Sequence, residues 1–450
     1  MGKNRSKDTS SDSPKDTSKD TKDTPKNTKD SSKDTTKQTT QKRDLSKILA
    51  WIVFLPTVSV VFLSIIPAVF PALITRATSP IQGPIAMPEF VNPFQPGILA
   101  VPIIAINLII LGIGIAYYKK KECKYRPIIH KITNFDLTKK QALIAVIIIL
   151  GIFAALTAGT LAKEETWVDY AGVKERVQSW NISQFTHSFE PHVRYLLLSA
   201  SLHIFGNIRV IPFITSIALL VAMYFFTKSI TQKRISGIIS MILLLQAQTF
   251  LEYSTTASYD NSWILLYLFA LYLVQKFWPP SPVSFFVSIF SKAITIAFLP
   301  AMMYFVSRST ISRRSKIISL ASYGIVAAIL AAGSAAINAS VTNGNMAHDS
   351  FWEGFTSMAF QMRFDYITII FILPVTVMLF FAARKGILHA DSMLVSILTI
   401  LLTAPVLIST TDQTNQPYRF VSLVVFFAVG VGILLSKKTR KQDELLSSKL

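Results

Sequence analysis

The chain has 450 residues, is 51% hydrophobic and 16% charged, and carries a formal net charge of +20 with a single cysteine, Cys123. A mean hydropathy of +0.45 excludes an ordinary soluble globule and points to an integral membrane protein. The cations stand in short runs between apolar segments, among them Lys119-Lys120-Lys121, Arg313-Arg314 and Lys437-Lys438; that distribution orients membrane helices and argues against a nucleic-acid partner, while the lone thiol excludes a disulfide framework or a thiolate metal site.

Residues 1–45 repeat Lys-Asp-Thr units, as at Lys15-Asp16-Thr17 and Lys22-Asp23-Thr24, with almost no apolar side chain. Such a segment buries too little surface to offset the entropy of ordering and is expected to be a disordered, basic cytoplasmic tail. No signal peptide is expected, because the first apolar run opens only near Ile48. Apolar runs of bilayer length follow near 48–74, 97–118, 141–162, 208–227, 235–251, 262–277, 317–337, 366–383, 391–409 and 420–436. The stretch Val283–Val306 holds Ser291-Lys292 at its middle. Read as a hairpin of two short helices, it keeps Arg308, Arg313, Arg314 and Lys316 on the basic, cytoplasmic side. A single span would carry them across, against the positive-inside bias.

The expected fold is therefore all-α, with about 12 membrane helices including the hairpin. Two extra helices and a basic loop (46–140) precede a core domain (141–436), and a basic tail (437–450) ends the chain. Both termini are expected in the cytoplasm of a multi-pass protein of the cell membrane.

The loop after 141–162 reads Lys163-Glu164-Glu165-Thr166-Trp167-Val168-Asp169-Tyr170. Three carboxylates within six residues at a membrane surface suit an enzyme acting on lipid-borne polar substrates. Beyond it Tyr170, Val173, Val177 and Trp180 recur at spacings of 3, 4 and 3, one apolar face of an interfacial helix. A second surface helix is expected over Val193–Phe205. His187 and His192 lie five apart, which is not a same-face spacing, so a zinc pair is not expected there.

In order, the core holds a membrane helix, the acidic loop, Glu190-Pro191-His192-Val193-Arg194-Tyr195, and Arg209-Val210-Ile211-Pro212 opening a helix. Then come Glu252-Tyr253-Ser254, the hairpin with Lys292, and Gln416-Pro417-Tyr418-Arg419 opening the last helix. This order resembles the GT-C superfamily of polytopic membrane glycosyltransferases, especially its protein-mannosyltransferase-like and lipid A aminoarabinose-transferase-like branch. The chain departs from that pattern in three places: the usual acidic pair stands only as Glu164-Glu165 with Asp169, the usual His-Pro-Pro is replaced by Glu190-Pro191-His192, and the first two helices and the basic tail lie outside the family core.

The resemblance implies transfer of a sugar from a polyprenyl-phosphate donor to a protein, lipid or glycan acceptor on the outer face. It implies Asp169 as general base, with Glu165 as a second acid or a ligand for a divalent cation. Lys292, Arg419 and Arg209 would hold the donor phosphate, and Glu190, His192, Tyr195, Glu252 and Tyr253 would line the acceptor and sugar path. Membrane lipids are the other expected partners. A transporter or flippase for a lipid-linked or polar solute, and a degenerate relative serving as an assembly subunit, are the alternatives.

Overall fold

The structure is a computed structural model of the chain. Residues 30–71, 94–119, 131, 134–167, 169–181, 183, 192–336, 351–352, 354–355, 359, 362, 365–410 and 417–436 are described, the side chains of 30–46, 115, 117–119, 333–336 and 408–410 excepted. The chain divides into two units, Met1–Leu45 and Ser46–Leu450. Of the first, only the backbone of 30–45 is described, as the start of helix α1, so the disordered-tail expectation for 1–29 lies outside the described residues. The basic tail 437–450 does too.

The helices are α1 (Asp30–Val69), α2 (Ala100–Lys119), α3 (Lys139–Leu161), α4 (Tyr170–Ser179), α5 (His192–Phe205), α6 (Val210–Thr231), α7 (Arg234–Leu245) and α8 (Gln248–Tyr253). After these come α9 (Ser262–Lys276), α10 (Ser281–Ser291), α11 (Leu299–Arg308), α12 (Arg313–Ala336), α13 (Tyr366–Arg384), α14 (Ala390–Thr410) and α15 (Val421–Leu434). Short 3-10 turns at Ala293–Phe298 and Pro417–Phe420 lead into α11 and α15. Among the described residues there is no β-strand. Among the described residues seven segments are long and apolar enough to cross a membrane: Lys47–Val69, Lys139–Leu161, Val210–Thr231, Arg313–Ala332, Tyr366–Arg384, Ala390–Leu407 and Pro417–Leu434. Five shorter apolar helices accompany them. The protein is thus all-α and membrane-spanning. Leu143, Ile144, Ile147 and Ile148 of α3 are more than half exposed, as side chains facing lipid would be and an aqueous surface would not tolerate.

Local chemistry sets the helix ends. Thr138 and Gln141 form a capping box at the start of α3, satisfying two orphan donors at once. Asp136 accepts the amides of Arg234 (2.8 Å) and Ile235 (3.0 Å), capping α7 from a distant part of the chain. Trp278-Pro279-Pro280 separates α9 from α10, since proline cannot continue a helix and constrains the residue before it.

The chain does turn back at Lys292, whose backbone is extended (φ −157°, ψ 119°) between α10 and the following 3-10 turn. Thr295 Oγ1 closes the turn on the Lys292 carbonyl at 2.8 Å. Ser281, Ser284, Ser288 and Ser291 recur at spacings of 3, 4 and 3 along α10. Three of them bond to α9: Ser291 to the Ser262 hydroxyl (2.6 Å), Ser284 to the Leu266 carbonyl (2.9 Å) and Ser281 to the Ala270 carbonyl (2.6 Å). The two helices therefore run antiparallel in close contact. Helix α11 then returns to the far end, where Phe305 stacks on His389 at 4.1 Å and Arg308 pairs with Asp391. The end of the bundle at Lys292 is called the tip end below, and the other the foot end.

Helix α15 is the most enclosed of the seven segments, with Val424, Phe426, Ala428 and Val429 wholly buried. Gly432 makes this possible: a Cβ there would meet Thr227 at 2.5 Å and Ser240 at 2.7 Å, so only glycine lets the backbones approach this closely. Helix α1 from Ser46 onward, and all of α2, belong to the second unit. Phe54 stacks on Phe380 of α13 at 4.1 Å, and Asn107 donates to the Ile370 carbonyl at 3.0 Å.

Candidate functional site at the tip end

The loop 254–261, between α8 and α9, organises the tip end. Ser254, Thr255, Thr256, Ser258, Asp260 and Asn261 are all buried, and a polar loop is stable there only if its groups are bonded. Three charged side chains bond them. The Glu165 carboxylate accepts the amides of Ala257 (2.7 Å) and Ser258 (3.0 Å). Arg194 donates to the carbonyls of Ala257 (2.9 Å) and Ser258 and pairs with Asp260 at 3.0 Å. Arg209 donates to the Thr255 carbonyl (2.9 Å), the Thr255 hydroxyl (3.0 Å) and the Lys163 carbonyl (2.5 Å). The acid expected in catalysis and the arginine expected at phosphate are thus both engaged with backbone.

From this fixed loop Tyr259 projects, half-buried. Its hydroxyl donates to Asp169 Oδ2 at 2.5 Å, and its ring lies on Tyr418 with centroids 4.3 Å apart and planes 14° from parallel. The Lys292 ammonium sits 3.7 Å from the Tyr418 ring centroid. Arg419 follows Tyr418, buried, with its guanidinium 5.6 Å from the same ring. Tyr253 and Trp167 complete the aromatic group, each edge-on to Tyr259 at 5.7 and 5.5 Å. Asp169, Lys292 and Arg419 are therefore joined by two tyrosines, one from the 254–261 loop and one from the turn before α15.

The electrostatics follow from this packing. Burial, then the Asp169 carboxylate, pushes the Tyr259 phenol above its ordinary value, so it remains a donor. Burial does the same to Tyr253. Burial is the largest influence on Lys292, followed by the charges of Arg194, Asp260 and Arg419; two of these are of its own sign, and Asp260 is already paired with Arg194, so an anion placed beside Lys292 would meet net positive charge. Glu252 is exposed, yet the protein packed around it and the neighbouring Asp365 both raise its carboxyl.

The remaining expected site residues are dispersed. His192 is buried at the start of α5. Tyr195 belongs to a small core with Tyr170, Val177, Leu198, Ile208 and Ala257, against which Val173 and Trp180 pack, and its hydroxyl accepts from Arg176 at 3.3 Å. The apolar face of α4, expected to lie on the membrane surface, is covered by this core. Glu190 and His187 lie outside the described residues. Among the described residues no three His, Cys, Asp or Glu side chains are grouped to hold a metal ion. Sequence reasoning did not single out Tyr259, Trp167 or Arg194 as functional. Their only signal was an aromatic residue inside an unusually polar connection, and an arginine on a mostly apolar helix.

Comparison of the chain with protein-family profiles, with curated proteins and with solved structures finds no match.

Proposed function

We propose that this chain is a membrane glycosyltransferase that moves a sugar from a polyprenyl-phosphate donor to an acceptor on the outer face. In this reading the tip end faces outward, both termini are cytoplasmic, and the apolar helices, hairpin included, make up twelve membrane elements. One observation carries the proposal: an exposed carboxylate, Asp169, is tied through Tyr259 and Tyr418 to the cations Lys292 and Arg419. Inverting group transfer from a lipid phosphate needs a base on one face of the anomeric carbon and cations at the departing phosphate on the other.

Asp169 takes the proton of the acceptor hydroxyl as its oxygen forms the bond to the anomeric carbon, help that general bases supply at about 10²–10⁴-fold. The bond from that carbon to the phosphate oxygen breaks, and its electron pair leaves with the lipid phosphate. Lys292 and Arg419 stabilise the charge that develops there. Lys292 acts as a point charge and Arg419 as a planar fork. Glu165 and Arg209 are scaffold in this mechanism, because their polar atoms hold the 254–261 loop.

That use of Glu165 also favours a second reading, a catalytically silent subunit of the same architecture. Glycan and lipid mass spectrometry decides between them. Cells lacking the chain should lose a glycosylated product that wild-type chain restores and Asp169→Asn does not. Full restoration by Asp169→Asn would reject catalysis at this position and leave the subunit reading.

A further inference from the structure

We propose that Tyr259 is the positioning residue of this site, fixing the Asp169 carboxylate with its hydroxyl and the Tyr418 ring beneath Lys292 with its own ring. The proposal rests on the glycosyltransferase reading for the reaction served, but its geometry stands apart from that reading.

Three observations carry it. Asp169 occupies the N-cap of α4 and makes no side-chain cap bond there, although an N-cap aspartate ordinarily accepts from its own helix amides. Its carboxylate is turned instead to Tyr259, at 2.5 Å. Second, the loop bearing Tyr259 is clamped at Ala257 and Ser258 on both amide and carbonyl sides, by Glu165 and Arg194. A phenol on so constrained a backbone can orient its partner, as loosely held side chains cannot. Third, the same ring is stacked on Tyr418, whose remaining face receives Lys292. One side chain thereby sets the relation between the acid and the cation.

An ionised carboxylate accepts at about four positions, so the phenol leaves room for an acceptor hydroxyl on Asp169. Tyr259 therefore aims the Asp169 carboxylate, and stays protonated while doing so. The other titratable groups on the elements meeting here are Tyr253 and Tyr418 behind the phenol, Glu165 beneath the loop, Lys163, and Glu164 paired with Lys174 at 3.0 Å. All are retained in the variants below.

Infrared difference spectroscopy of the full chain in lipid nanodiscs, at one fixed pH, isolates the Asp169 carboxylate band as the one absent from Asp169→Asn. Tyr259→Phe, which keeps the ring, should shift the stretching frequency of that band, because the carboxylate loses the phenol's hydrogen bond. Tyr259→Leu, which removes ring and hydroxyl, should shift it in the same direction. In cells, Tyr259→Phe should restore about a tenth of the wild-type product. A band unshifted in both variants overturns the positioning role whatever the glycans show. A shifted band together with full product from Asp169→Asn sustains the positioning role and rejects the glycosyltransferase reading.

Discussion

Lys292 and Tyr418 are in direct contact, ammonium over ring at 3.7 Å, though one caps the end of a short helix of the hairpin and the other lies in the 3-10 turn before α15. The contact pins the tip of the hairpin to the most enclosed helix of the bundle. A desolvated cation–ring contact of this kind contributes about 2 kcal/mol, enough to hold a lysine at a break between two apolar helices that would otherwise extend toward lipid or water.

Replacing that lysine separates binding from stability. Lys292→Met keeps the length and apolar stem of the side chain while removing a charge acted on by Arg194 and Arg419. Binding of a short-chain polyprenyl phosphate to the protein in nanodiscs should weaken by at least about tenfold, the loss of one charge-assisted contact. Thermal stability should be held or raised, because removal of a buried charge can offset its lost contacts. Unchanged lipid-phosphate binding would remove Lys292 from the phosphate site.

Glu165 offers the complementary test. Its two oxygens each accept one loop amide, so Glu165→Ala leaves both donors buried and should cost about 3 kcal/mol. Glu165→Gln retains one acceptor oxygen and should cost about half as much. Melting of the purified variants measures both. Loss of product without loss of stability would instead make Glu165 a participant in the chemistry.

Much of this arrangement was legible in the sequence, and the limits of that legibility are physical. The hairpin could be read because a lysine inside an apolar run and four cations beyond it leave few arrangements of charge across a bilayer. The face of α4 could be read from its 3.6-residue periodicity, although periodicity cannot say whether protein or lipid covers it. The 254–261 loop could not be read. Ser254, Thr255, Thr256 and Ser258 look like ordinary loop polarity until Glu165, Arg194 and Arg209 converge on them from three other segments. In the same way Arg209 in sequence is a cation at a helix start, whether its fork meets phosphate or two carbonyls.

The pH dependence of stability should expose Asp365, which is buried before α13 and accepts the amide of Thr249 at 3.2 Å and its hydroxyl. Burial raises its carboxyl above the ordinary 3.8, against the opposing Thr249 bonds. A carboxyl raised in the folded state binds its proton more tightly folded than unfolded. Its contribution is therefore full below 3.8 and declines as pH rises through the higher folded value. Asp365→Asn removes that decline, so its melting temperature relative to wild type should rise between about pH 4 and 7. A constant difference across that range would mean the group does not titrate on folding.

At the foot end, Arg308 of α11 and Asp391 of α14 form an ion pair whose side chains are 17% and 4% exposed. Tyr304 donates to the same Asp391 oxygen at 3.2 Å. Beside it, His389 bonds Gln275 of α9 at 2.5 Å, so three helices meet where the hairpin returns. Removing one partner of a buried pair costs about 3–5 kcal/mol, because the other charge stays buried, whereas replacing both by apolar residues is often neutral. Asp391→Leu alone should therefore destabilise strongly. Arg308→Met together with Asp391→Leu should recover most of that loss, giving a coupling of more than about 1 kcal/mol in a double-mutant cycle. The two substitutions touch neither Lys292 nor Tyr418, so lipid-phosphate binding by the surviving folded fraction should keep its wild-type affinity. Additive losses of stability would show that the hairpin foot is held by the Phe305–His389 stack and not by this ion pair.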